Sequence, residues 1–297
     1  MTTNLNIAIR GAGIMGLSVA YTLKNALPDT QITLSDPLMK DWGFPADNAS
    51  FMAGGMLAPY AEIEHMDMTW VTAGLASIDI WENTPLDTGF SKQGSLLIAH
   101  SEDRYILERF KTHLPADAQT PVNAQDIEPA LHDQFQNGIH IKSEAHLDPH
   151  KTMAALCSWL KDNDVTLINS AEPPQNTDWT IDCRGMAADD KNLRGVKGET
   201  LLVHNPEFEL SRPVRLMHPR YPLYIIPRGD GIFMIGATVI ESADESVSLR
   251  SSMELLSAIY ALHPSSIEED IIEPKLDIRP DFEYHLPSTP IYACINT

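Results

Sequence analysis

Long apolar runs are missing from this chain, and no stretch reaches the roughly 18 apolar residues that a membrane span requires. Its apolar opening, Ile7 to Val19, has no basic segment before it and is interrupted by glycines, so a strand and turn explain it better than a secretion signal. Basic residues are scarce. Lys and Arg number 21 against 41 Asp and Glu, and the resulting net charge of −20 repels nucleic acid and anionic membrane. The same field opposes an anionic substrate, which therefore needs a local, well-placed cation. Cysteine is also rare: Cys157, Cys183 and Cys294 are scattered and form no Cys-x-x-Cys. This pattern predicts inert thiols in a reducing cytoplasm, with neither disulfides nor a zinc or other metal site.

What remains is an ordinary globular composition, 43% hydrophobic over 297 residues, with room for two domains or for one carrying an insert. Asn6 to Arg10 is a β-prone run that stops at Gly11-Ala12-Gly13-Ile14-Met15-Gly16. Leu17, Ala20, Tyr21 and Leu23 follow at helical spacing until Pro28, and Gln31 to Ser35 forms a second β-prone run ending at Asp36. Each part has a task. Gly11 permits a tight turn, Gly13 leaves room for a pyrophosphate, and Gly16 allows close packing of helix on strand. The first-turn N–H groups of Ile14, Met15 and Gly16 present positive dipole to an anion. Asp36, 25 residues after Gly11, stands where a carboxylate accepts ribose hydroxyls and repels a 2′-phosphate. These residues predict a dinucleotide site and leave FAD and NAD both open. Further along, Gly138 to Pro149 alternates as a strand before a turn, and Trp179 to Gly185 reads as a central strand returning beside the first. Leu201 to Val203 reads as a strand, and Gly229 and Gly231 around Asp230 mark a tight turn between two strands.

The next motif is a run of small residues closed by a proline, "ASFMAGGMLAP" from Ala49 to Pro59. Small side chains let backbone N–H groups approach a flat ring or a pyrophosphate. With the acid-ended βαβ unit, this run resembles the FAD-dependent glycine oxidases of the thiazole (thiamin) pathway, in the D-amino-acid oxidase group. "LDP" at Leu147 to Pro149, "RGVKGE" at Arg194 to Glu199, "YIIPRGDGIFMIGATVIES" at Tyr224 to Ser242 and "DIRP" at Asp277 to Pro280 extend the resemblance along nearly all of the chain.

The resemblance implies an α/β fold, a Rossmann-type FAD-binding domain with an inserted antiparallel α+β substrate domain. The FAD-binding domain is expected at residues 1–85, 145–195 and 269–297, and the substrate domain at 86–144 and 196–268. FAD contacts are implied at Gly11, Gly13, Ile14, Met15, Gly16, Asp36, Ala49, Ser50, Ala53, Gly54, Gly55, Met56, Val165 and Arg279. Arg279 is implied to hold the substrate carboxylate, with the Tyr224 hydroxyl sharing it; a guanidinium fork matches two carboxylate oxygens.

The activity implied is oxidation of glycine or another small amine to its imine, with O2 reduced to H2O2. An oxidase or dehydrogenase of sarcosine or D-amino acids is the alternative within the class. No Ser/His/Asp or Cys/His arrangement emerges, and His140, His146, His150, His204 and His218 read as solvated or structural. A small amine, O2 and no macromolecular polyanion are the expected partners, and a homo-oligomer is compatible with the sequence. Two features depart from the resemblance. Val239 stands where a methionine is expected, and the last helix implied beyond Pro290 is absent before Thr297. The third part of the FAD domain is accordingly expected to be short, which leaves an inactive flavin-binding homologue as the alternative outside the enzyme class.

Overall fold

The computed structural model describes residues 5–43, 48–64, 66–188, 190–191, 193–219, 223–237, 248–262 and 270–282, the last segment through its backbone alone. Strand β1 (Asn6–Arg10) buries Ile7, Ala8 and Ile9. Helix α1 (Ile14–Ala26) begins behind Gly13, which supplies no side-chain cap, and stops just before Pro28, which has no N–H to continue it. Strand β2 (Gln31–Ser35) returns parallel to β1, in register from Asn6↔Gln31 to Arg10↔Ser35. Helix α2 (Ala49–Met52), strand β3 (Met56–Leu57) and helix α3 (Met68–Glu82) lead away from this unit. Asp67 caps α3 by accepting the Thr69 N–H at 2.8 Å.

Strands β4 (Ser95–Ala99), β5 (Thr120–Val122) and β6 (Gly138–Ile141) belong to a second sheet, with helices α4 (Arg104–Lys111) and α5 (Ala124–Ile127) between them. Strand β7 (Ala145–His146) pairs back on β3. Helix α6 (Pro149–Asp162) has Pro149 in its first turn and the Asp148 carboxylate as its cap. Strands β8 (Thr166–Ile168) and β9 (Trp179–Asp182) complete an all-parallel sheet of order β8-β2-β1-β9. The Trp179 run thus lies beside β1 as expected, but at the edge of the sheet rather than as a central strand. The chain then adds β10 (Leu193–His204), β11 (Val214–Met217), β12 (Leu223–Gly229), β13 (Ile232–Gly236), helix α7 (Leu249–Leu262) and β14 (Asp270–Phe282). The second sheet runs β14-β10-β13-β12-β11-β4-β6-β5, antiparallel except where β11 meets β4.

Each sheet has its own core. Ile9, Leu17, Ile32 and Leu34 pack against Met153, Leu156 and Leu160 of α6. Tyr21 meets Trp159 edge-on at 4.6 Å. In the second sheet the period-2 alternation of strands divides neighbours between two faces. Leu96, Ile98, Val214 and Leu216 face Leu255 of α7, while Leu97, Ile139 and Ile141 face Ile106, Leu107 and Phe110 of α4.

Two elements differ from expectation. The strand expected at Leu201 to Val203 runs from Leu193, because Lys197 and Glu199 satisfy each other at 2.8 Å inside the sheet and mask the apolar pattern. The single strand expected from Gly138 to Pro149 divides into β6 and β7 around a turn. Gly229, Asp230 and Gly231 all have positive φ, 83°, 52° and 69°, and make the tight β12–β13 turn that their sequence predicts.

Helix α1 approaches β1 closely enough that a Cβ on Gly16 would lie 1.8 Å from the Gly11 carbonyl oxygen. Gly16→Ala is expected to destabilise the flavin-free protein by about 3 kcal/mol, read as a lower urea midpoint. Gly13→Ala is the control. Its Cβ would meet the rotatable Ser50 hydroxyl at 3.0 Å, so stability should change by less than about 1 kcal/mol while nucleotide affinity falls.

Candidate active site

The glycine loop is drawn tight by hydrogen bonds from both neighbouring strands. Gly11, at φ 93°, donates its N–H to the Ser35 carbonyl at 2.8 Å. A Cβ there would sit 2.5 Å from the Cys183 carbonyl oxygen, so only glycine fits. Asp36 accepts the Ala12 N–H on Oδ2 at 2.8 Å and the Leu38 N–H on Oδ1 at 2.9 Å. Both carboxylate oxygens are thereby fixed at the ends of the parallel strands, and each keeps a lone pair for a ribose hydroxyl. Met15 and Gly16, in the first turn of α1, have no intrahelical acceptor for their N–H groups. The Ile14 N–H donates to Ser50 Oγ at 3.0 Å, so α2 closes the open side of the cradle.

The small-residue run is held from several directions. Asn48 Oδ1 accepts the Phe51 N–H at 2.8 Å and starts α2 at Ala49. His150 stacks on Phe51 at 3.6 Å and reaches the Phe51 carbonyl through Nε2 at 3.0 Å. The Arg228 guanidinium donates to the Ala53 carbonyl at 2.6 Å. After Gly54, the Gly55 backbone turns at φ 74° and accepts the Leu147 N–H at 2.9 Å, and Met56 pairs with His146. The His146 imidazole, buried beside Arg228, is pushed down to about 4 and stays neutral.

Tyr224 stands on β12, buried, in one apolar cluster with Met56, Ile226 and Met234. The small-residue run and the tyrosine motif, far apart in sequence, therefore meet. The Tyr224 hydroxyl donates to Glu62 Oε1 at 3.0 Å, and burial pushes its ionisation up, so it remains a neutral phenol. Arg215, directly opposite Tyr224 on β11, places its guanidinium 5.4 Å from the Tyr224 ring and 5.1 Å from the Phe110 ring. Its Nη1 donates to the Ala61 carbonyl. Glu144, fully buried, accepts the Ala61 N–H at 3.0 Å and the Ser95 hydroxyl. Burial raises the Glu144 carboxyl to about 7, against the opposing pull of Ser95, the Ala61 N–H and Arg215.

Of the expected site residues, Gly11 to Gly16, Asp36 and Ala49 to Met56 come together as one cradle, and Tyr224 joins it through Met56. Arg279 lies on β14 opposite Val196, in a strand that passes close to α2. Val165 is not brought to the cradle. It directly precedes β8 in the apolar core, its N–H bonded to the Leu160 carbonyl at 3.1 Å, and it is the Ile168 carbonyl at the far end of that strand that accepts the Asp36 N–H, at 3.1 Å. Val239 and Cys294 lie outside the described residues. Burial pushes the Cys157 and Cys183 thiols up to about 12 and 11, as inert thiols require. A cavity of about 720 Å³ lies elsewhere, lined by His100, Glu102, His218, Leu223, Met253 and Glu254. Glu62, Glu144, Arg215 and Arg228 were not predicted. For Arg215 the signal was present, since it is a charge between the apolar Val214 and Leu216 of a short strand.

A parallel βαβ unit with an uncapped glycine-initiated helix, an acid at the second strand's end and a small-residue run over it defines the dinucleotide-binding class of fold. The chain matches the FAD dependent oxidoreductase (DAO) family over residues 6–292 and belongs to it; FAD is its cofactor. It is 38% identical over 289 residues to a Rhizobium etli protein named thiamine biosynthesis oxidoreductase ThiO, covering 95% of this chain and 86% of the relative. Its fold is that of the glycine oxidase from Geobacillus kaustophilus (TM-score 0.77, 21% identity, 95% of this chain and 84% of that one). The iminodiacetate oxidase of Chelativorans sp. BNC1 is similar too (TM-score 0.76, 20% identity, 94% and 84% covered). The residues present fit FAD. The α1 N-terminus lacks a side-chain cap, Gly13 leaves space beside Ser50, and Asp36 is fixed for a ribose.

Glu144 gives the site a measurable pH signature. Its carboxyl ionises at about 7 in the fold and near 4.5 when unfolded, so the folded state binds the extra proton between those values. Stability from this group is complete below 4.5 and is lost as pH rises through 7. Gln at this position can accept from Ala61 and donate to Ser95 without titrating. Between about pH 5 and pH 8, urea unfolding is expected to shift the stability difference by about 2–3 kcal/mol in favour of Glu144→Gln.

Proposed function

We propose that this protein oxidises glycine or another small amine to its imine, with O2 reduced to H2O2, in the supply of thiazole for thiamin. The observation that carries this reading is the buried cluster joining Met56, at the end of the small-residue run, to Tyr224. The relative named for thiamine biosynthesis, at 38% identity, supports the pathway. Bound FAD supplies the two-electron acceptor for the amine and the donor to O2.

The protein's own share is to bind, orient and exclude water. Gly11, Gly13, Ile14, Met15, Gly16 and Asp36 would hold the dinucleotide, and Ala49, Ser50, Ala53, Gly54, Gly55 and Met56 are the residues we propose for its flavin part. Arg279 is our candidate for the fixed cation that an amino-acid carboxylate needs in a chain of net charge −20. Tyr224, kept neutral by burial and donating its O–H to Glu62, is our candidate for a wall of the substrate site. An amine arriving unprotonated needs no general base, in keeping with the neutral His146 near the run.

We retain the division into an FAD-binding domain (1–85, 145–195, 269–297) and a substrate domain (86–144, 196–268). The proposed setting is the cytoplasm; among the described residues no helix is long and apolar enough to cross a membrane.

The test is optical. The purified protein is expected to carry a flavin absorbance that glycine, sarcosine or a D-amino acid bleaches anaerobically, the most effective amine identifying the substrate. A flavin spectrum that no amine bleaches overturns the activity. Arg279→Ala is expected to weaken amino-acid binding by about 2–5 kcal/mol with flavin content unchanged, and unaltered affinity would remove Arg279 from the site.

A further inference from the structure

Glu62 is a carboxylate that the site does not need for any step described above, yet the fold goes to some length to present it. It ends the short 3-10 turn Pro59–Glu62, and its Oε1 receives the Tyr224 hydroxyl at 3.0 Å. The preceding residue, Ala61, is gripped on both sides of its backbone. Buried Glu144 takes its N–H at 3.0 Å, and buried Arg215 donates to its carbonyl oxygen. Neither backbone group can shift without stranding a buried charge, so the Glu62 carboxylate is fixed at Tyr224. Its neighbour Glu64, two residues on, is paired with Arg109 at 3.5 Å and His113 at 3.7 Å. Among the described residues Glu62 makes no ion pair; its partner there is the neutral Tyr224 hydroxyl. Around Tyr224 the described ionisable groups are one guanidinium, Arg215, and two carboxyls, Glu62 and Glu144.

We propose that Glu62 is a specificity-determining residue, a fixed negative charge at Tyr224 that admits amines bearing one carboxylate and rejects those bearing a second anionic group. The inference rests on Tyr224 facing the substrate. Like charges brought together in a partly desolvated site repel far more than they do in water, whereas a small zwitterion offers its carboxylate to a cation and places no second anion against Glu62.

The test uses the FAD-loaded protein and ligands that do not turn over. Acetate, with one carboxylate, and malonate, with two, are titrated against the flavin spectrum of the wild type, Glu62→Gln and Glu62→Asp. The wild type is expected to bind acetate more tightly than malonate. Glu62→Gln should narrow that ratio at least tenfold, equivalent to about 1.4 kcal/mol, while Glu62→Asp, which keeps the charge, should largely preserve it. In turnover, kcat/KM for iminodiacetate relative to glycine should rise at least tenfold in Glu62→Gln. An unchanged ratio, or an equal loss for both ligands, overturns the inference. If glycine fails to bleach the flavin but the ligand ratio shifts as expected, the activity reading falls and the role of Glu62 stands. If neither anion perturbs the flavin in any of the three proteins, Tyr224 does not face the ligand and the inference falls with it.

Discussion

The segment Ala53–Leu57 has to lie against two sheets at once, and the rest of the site follows from that constraint. On one side it continues α2, whose Ser50 closes the glycine loop of the parallel sheet. On the other, Met56 enters the cluster with Tyr224, Ile226 and Met234 of the antiparallel sheet. A segment squeezed in this way can carry little side chain. At Gly55 a Cβ would sit 2.3 Å from the Leu147 carbonyl oxygen, and the backbone there is already left-handed. Its polar backbone must still find partners, and it finds them in the Leu147 N–H and the Arg228 guanidinium. Ala53, Gly54 and Gly55 are therefore small where the backbone of the neighbouring segment comes closest, and we propose that their other face takes the cofactor ring.

The second consequence is electrostatic. Bringing an antiparallel sheet against this segment buries Arg215 and Glu144 and half-buries Arg228 close to it. Buried charges cost several kcal/mol unless they are paired or hydrogen-bonded, so each is given work on the backbone. Arg228 holds Ala53, while Arg215 and Glu144 hold Ala61 from its two sides. A rigid turn results without a core of its own. The cost shows in Glu144, whose carboxyl moves up to about 7 because its neighbours do not fully offset its desolvation.

How far the sequence revealed this depends on what kind of signal each part leaves. The βαβ cradle was legible because its requirements are local: Gly11, Gly13, Gly16 and Asp36 each serve a backbone need within one unit. The Gly229-Asp230-Gly231 turn was legible for the same reason. The β10 strand was only partly legible, since Lys197 and Glu199 lie inward and neutralise each other, breaking the apolar alternation that marks a strand. Val165 was assigned by resemblance to a nucleotide contact, but it lies just before β8, at the opposite end from Ile168, which meets Asp36. Glu62, Glu144 and Arg215 left almost no trace. Their function depends on contacts across 49 to 162 positions of sequence separation, which no local spacing encodes.

These observations bear on how a chain of net charge −20 handles an anionic substrate. Long-range repulsion is screened within about 8 Å at physiological salt, so the field of the surface matters less than the charges inside the pocket. Inside, the balance is set by few groups at short range. The cation proposed at Arg279 favours one negative charge, and a carboxylate on the Tyr224 hydroxyl disfavours a second. The clamp on Ala61 keeps the second of these in place, so discrimination by charge count follows from the same backbone grip that gives the turn its rigidity.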